Sequence, residues 1–63
     1  MFWTAHHALG VYEHGPYTIR RTTYDFEIWY KPGKHEFRLL GRAPTVKEAK
    51  QDAEQHAKVS RGT

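Results

Sequence analysis

A chain of 63 residues makes one domain at most, and at this size it buries only about 60% of the surface that its unfolded form exposes. The absence of cysteine excludes disulfides and thiolate chemistry, leaves packing or a partner to hold the fold, and points to a reducing compartment. A net charge of +3, with an isoelectric point near 9.5, favours acidic partners without distinguishing nucleic acid from an acidic protein surface.

The opening residues, Met1 to His7, lack the basic-then-apolar order of a signal peptide. No apolar run approaches the roughly 18 residues of a membrane span, so a cytoplasmic protein without membrane association is expected. Residues 1–16 form an N-terminal segment whose Phe2, Trp3, Val11 and Tyr12 could supply an extra edge strand, a loop over the core, or a surface for a second copy. The break at Leu9-Gly10 and the turn signal His14-Gly15-Pro16 suggest a short strand around Val11 to Glu13.

From Tyr17 to Thr22 and from Tyr24 to Tyr30 the residues alternate. Tyr17, Ile19, Phe26 and Ile28 fall on one parity, and Thr18, Arg20, Asp25 and Glu27 on the other, the pattern of two half-buried strands. A turn centred on Thr22-Thr23 would set Ile19 beside Phe26 and Arg20 beside Asp25. In Lys31-Pro32-Gly33-Lys34, proline presets φ and glycine suits the positive φ of a type II turn. Closing the hairpin there sets Ile28 opposite Phe37 and Phe26 opposite Leu39 in the core, with Glu27 opposite Arg38 and Glu36 opposite Trp29 outside.

Pro44-Thr45-Val46-Lys47-Glu48 announces a helix, with Thr45 and Glu48 spaced as a capping box. It is expected from about Val46 to Lys58. Val46, Ala49, Ala53 and Ala57 make one shallow apolar stripe, suited to close approach to a sheet carrying bulky Phe26, Ile28, Phe37 and Leu39. Residues 17–59 thus read as an α+β core, a three- or four-stranded antiparallel sheet with the helix packed on one face, and residues 60–63 as a flexible tail.

Enzymatic signatures are absent from this reading. No Ser or Cys sits in a nucleophile motif and there is no glycine-rich phosphate loop. Five histidines invite a metal reading, but His35-Glu36 opens a zinc-protease-like motif that fails at Leu39 and lies on a strand. Glu48, Asp52 and His56 share a helix face at spacing four, the pattern of a solvated face. No cofactor or metal is expected.

The outer sheet face would show Thr18, Arg20, Thr22, Trp29, Arg38, Leu40 and Arg42, and the hairpin tip adds Lys31 and Lys34. Hydroxyls, cations and a stacking aromatic suit nucleic acid, yet the expected register pairs much of that charge with Glu27 and Asp25. Trp29 is the most informative residue, a large aromatic on the outward parity with Leu40 nearby. Either the N-terminal segment with Phe2 and Trp3 folds over it, or a partner covers it.

The run from Leu39-Leu40-Gly41-Arg42 through Ala43-Pro44-Thr45-Val46-Lys47-Glu48-Ala49-Lys50, continued by Ala53-Glu54-Gln55-His56, resembles the ending of short phage and prophage proteins of unassigned role. The resemblance covers about the last 40 residues and departs from the pattern at Ala43, where an aromatic is common, and Lys47, where an acid is common. The order of sheet and helix is similar to phage integrase arm-binding domains and the plant ethylene-response DNA-binding domain, a likeness of fold alone.

These readings together imply a non-enzymatic accessory protein of a bacterial host cell's mobile elements that binds another protein and inhibits a host defence or regulatory complex. The alternative is a DNA- or RNA-binding module with Arg20, Arg38, Lys31, Lys34 and Arg42 on phosphates and Trp29 stacking. A homodimer through Phe2, Trp3 and Trp29 is a third possibility.

Overall fold

In the computed structural model, which describes residues 2–62, five antiparallel strands pair strictly in chain order. They are β1 (Thr4–His6), β2 (Val11–His14), β3 (Tyr17–Arg21), β4 (Phe26–Gly33) and β5 (Glu36–Ala43), and a single helix, α1 (Val46–Gly62), packs on one face. The α+β class, the antiparallel sheet and the C-terminal helix match the sequence reading. The strand count does not, because the N-terminal segment supplies two strands rather than one at most.

Glycine makes those extra strands possible. After β1 a short 3-10 turn, His7–Leu9, ends at Gly10, whose φ of 64° reverses the chain into β2. The Gly10 carbonyl then accepts the Arg21 amide at 2.8 Å, tying the turn to the end of β3. Between β2 and β3 a two-residue turn places Gly15 at φ 55°. Pro16 fixes φ near −65°, so only the II′ form of the hairpin turn fits the pair.

The β3–β4 connection is held by one side chain. Thr22 Oγ1 donates to the Asp25 carboxylate at 2.6 Å and accepts the Asp25 amide at 3.1 Å, while the Thr22 amide donates to the Asp25 carbonyl at 2.8 Å. The loop is therefore longer than a turn centred on Thr22-Thr23. Arg21 pairs with Phe26, Arg20 with Glu27 and Ile19 with Ile28, which corrects the expected neighbours Asp25 and Phe26.

The last hairpin departs further. Gly33 pairs with Glu36, so the turn residues are Lys34 and His35 rather than Pro32 and Gly33, and Gly33 is not among the glycines of positive φ. Two irregularities follow along β5: Lys31 and Pro32 together oppose Phe37, and Leu40 is an extra residue between the pairs Trp29–Leu39 and Ile28–Gly41. A one-residue shift exchanges the faces of everything beyond it.

The bulge at Leu40 settles the core. Ile28 meets Gly41 and Phe26 meets Ala43, and it is these residues that face α1. Tyr17, Ile19, Ile28, Ala43, Ala49 and Ala53 are buried, with Trp3, Tyr12, Phe26 and Tyr30 packed against them. Phe37 and Leu39, expected in the core, stand 60% and 45% exposed on the opposite face.

The small side chains of α1 play the part its stripe implies, since Ala49 and Ala53 have no exposed surface. Thr45 caps the helix, accepting the Glu48 amide at 3.2 Å through Oγ1 and the Ala49 amide at 3.0 Å through its carbonyl. The helix runs past the expected end at Lys58 to Gly62, through most of the segment read as a tail; Thr63 lies outside the described residues.

Candidate functional site: the uncovered sheet face

The helix covers one face of the sheet, so the chemistry available to a partner is set by what lies on the other. Alternation along each strand builds that face in rows. Val11, Arg20, Glu27 and Arg42 are successive register partners across β2 to β5, and Glu13, Thr18, Trp29 and Leu39 form the next row. Phe37 extends the second row along β5. Val11, Thr18, Arg20, Trp29 and Phe37 line a shallow open groove of about 350 Å³.

Trp29 keeps its outward position and is half-buried by its own neighbours. Its indole N–H points at Glu27 Oε1, 3.4 Å away. The N-terminal segment does not fold over it. Trp3 lies on the helix side, where its indole N–H donates to Glu54 Oε2 at 3.2 Å and its ring packs 5.7 Å from that of His14. Trp3 and Trp29 therefore lie on opposite sides of the sheet, and Phe2, beside Trp3, is 93% exposed.

The six candidate binding residues separate into groups. Arg42 is on the uncovered face but is spent internally, 3.2 Å from Asp25 Oδ1 and 3.1 Å from Glu27 Oε2. Because Glu27 also faces Trp29, the carboxylates at that end of the face are engaged. Arg20 lies across from Glu27 in the register, yet makes no ion pair among the described residues. Lys31 holds its ammonium 5.2 Å from the centre of the Phe37 ring, a cation–π contact. Lys34 sits at the hairpin turn, exposed and without an ion pair among the described residues.

Arg38 is displaced from the expected face. It pairs with Tyr30, whose ring packs on Tyr17 and His56 beneath the helix, so Arg38 belongs to the helix side and reaches only Glu36, at 3.9 Å. Glu27 consequently faces Arg42 rather than Arg38, and Trp29 faces Leu39 rather than Glu36. Leu40, expected beside Trp29, lines instead a groove of about 380 Å³ between β5 and α1, with Ile28, Gly41, His56 and Val59.

Leu39 and Phe37 are the site residues that sequence reasoning misplaced. The signal for them was the doubled Leu39-Leu40 followed by Gly41, where two adjacent apolar residues break a period of two. Among the described residues no group of three or more His, Asp or Glu side chains is placed to hold a metal ion, and no helix is long and apolar enough to cross a membrane. No protein-family model, curated protein or solved structure matches the chain.

Proposed function

We propose that this chain is a non-enzymatic accessory protein of phage or mobile-element type that binds another protein through the uncovered sheet face and so inhibits a host defence or regulatory complex. The observation that carries the reading is the alignment of Trp29, Leu39 and Phe37 on the one face that the helix leaves open. Neighbouring Arg42 bridges Asp25 and Glu27, and Arg20 across from Glu27 balances the remaining negative charge, so the centre of this face offers apolar area more than net charge. A partly apolar centre with a polar rim is the anatomy of a protein interface. The mobile-element part rests on the resemblance of the C-terminal run.

A second reading, binding of single-stranded nucleic acid, is favoured by Lys31 over Phe37 and by the unpaired Arg20 and Lys34, since exposed aromatics with nearby cations can stack bases and hold phosphates. Three such cations would give a salt slope of only about −2 in log K against log salt. The test is titration of the chain against single-stranded and duplex oligonucleotides over a salt series, beside affinity capture followed by reconstitution with the purified partner. The protein reading expects a reconstituted complex that Phe37→Ser with Leu39→Ser abolishes. Tight oligonucleotide binding that falls with salt and disappears in Lys31→Glu with Lys34→Glu would replace it with the second reading.

A further inference from the structure

The free edge of β5 lies between two apolar surfaces. β5 is the last strand of the sheet and pairs with β4 alone. No backbone hydrogen bond reaches it from any other described segment, leaving a row of amides and carbonyls open to solvent. It is eight residues long, above the commonest strand length. Although the bulge at Leu40 interrupts it, the stretch Glu36–Leu39 before the bulge is regular on β5 and contains neither proline nor lysine, two of the residues that commonly blunt an edge. The opposite edge, β1, is three residues long and offers far less to pair with. Along β5 the bulge sends neighbouring leucines to different sides: Leu39 joins Phe37 and Trp29 on the uncovered face, while Leu40 turns to the groove beside Gly41, His56 and Val59 of the helix side.

An extended chain lying along this edge would meet both surfaces, because its side chains alternate between the two faces of the sheet. One set would reach Leu39 and Phe37. The other would enter the groove between β5 and α1. The charge around the edge selects among such chains. At its hairpin end Lys31, Lys34 and Arg38 outnumber the carboxylate of Glu36, whose pair with Arg38 is long at 3.9 Å and exposed, while at the far end Arg42 holds Asp25 and Glu27 and Asp52 lines the groove.

We infer that β5 is the docking edge for an extended segment of a protein partner, which adds to the sheet as a sixth strand with apolar residues at alternate positions and acidic residues at the end that meets Lys31, Lys34 and Arg38. Backbone pairing along Glu36–Leu39, before the bulge, supplies affinity, and the two apolar surfaces supply specificity. The inference deepens the proposed function and rests on its protein-binding reading.

The test is selection of a displayed random-peptide library on the immobilised chain, followed by titration of the enriched peptide and amide hydrogen exchange with and without it. The expected consensus alternates apolar residues and carries Asp or Glu at the one end that meets Lys31, Lys34 and Arg38. The peptide slows exchange of β5 amides in the native chain, Leu39→Lys weakens binding at least tenfold, and Thr4→Lys, exposed on β1 at the opposite edge of the sheet, leaves it unchanged. Failure to enrich a consensus, or enrichment of basic or proline-rich peptides, overturns the inference. Binding that Val11→Asp abolishes while β5 amides still exchange freely overturns strand addition but leaves the sheet-face reading standing. Protection of β5 at high chain concentration without peptide makes a second copy the occupant and also overturns it. Displacement of the peptide by a single-stranded oligonucleotide that Lys31→Glu no longer binds overturns both readings.

Discussion

Leu39 lies directly across from Trp29, and Gly41 directly across from Ile28, with Leu40 left over between the two pairs. Two residues that plain alternation would place on one face thus stand on opposite faces. Deleting one of the two leucines, which gives the same sequence whichever is removed, restores a regular ladder and keeps every other residue on its present side. The loss is the packing of a partly exposed leucine, about 1–2 kcal/mol. Deleting Gly41 instead forces Leu40 opposite Ile28 against the helix, and overpacking there adds about 1–3 kcal/mol. Urea denaturation followed by circular dichroism orders the two deletions, and the idea is wrong if loss of the leucine proves the more damaging.

Gly10 and Gly15 share a positive φ but differ in surroundings. A Cβ on Gly10 would come within 3.0 Å of the Arg21 Cβ, whereas nothing lies within 4 Å of one on Gly15. Gly15→Ala is expected to cost about 1–2 kcal/mol for the left-handed backbone alone. Gly10→Ala carries that cost plus displacement of Arg21, and loosens the β3 end that the Gly10 carbonyl holds. Thermal melts of both variants should show the larger drop for Gly10→Ala; equal drops would mean that the close approach costs nothing.

Ala53 has no exposed surface at the contact between α1 and the sheet. Ala53→Leu inserts three carbons where helix and sheet already touch and is expected to destabilise by about 1–3 kcal/mol. Ala57→Leu, at a half-buried position of the same stripe, should cost less. A chemical denaturation pair reads the difference, and a stabilised Ala53→Leu would mean that the helix stands farther from the sheet.

Much of this fold was legible because local signals agreed with it. The Thr45 cap, the alanine stripe and the alternation of Tyr17 to Ile28 depend on neighbours along the chain, and they appear where the sequence places them. What failed was long-range register. Pro32-Gly33 is a strong local turn signal, but pairing of Gly33 with Glu36 moves the turn to Lys34-His35. A turn moved by two residues changes every later partner but not the face. It is the one-residue shift where Lys31 and Pro32 oppose Phe37 that puts Phe37 and Leu39, assigned to the core, on the open face and Arg38, assigned to the surface site, on the helix side. Trp29 was read correctly as outward because its position depends only on alternation within β4. The breaks at Leu9-Gly10 and His14-Gly15-Pro16 marked the short strand expected around Val11 to Glu13, which is β2; what the sequence left open was β1, three residues of Thr4–His6 too short to show an alternation.

The hydroxyl of Tyr17 lies 2.7 Å from His56 Nδ1, a polar tie between β3 in the middle of the sheet and the second half of α1. Tyr17 is buried and its ring also packs against Tyr30 at 5.2 Å, while Tyr30 lies 4.9 Å from the His56 ring. Tyr17→Phe keeps these ring contacts and removes the hydroxyl with its bond to His56, at a cost of about 0.5–1.5 kcal/mol. His56→Ala removes the tie and the packing together and should cost more. Because α1 rests on the sheet through alanines, the loss is expected to fall on the helix end rather than on the ladder. Hydrogen exchange in Tyr17→Phe should therefore speed first in the last turns of α1, while β3 and β4 amides remain slow. Uniform acceleration across helix and sheet would show instead that the bond supports the whole domain as one cooperative unit.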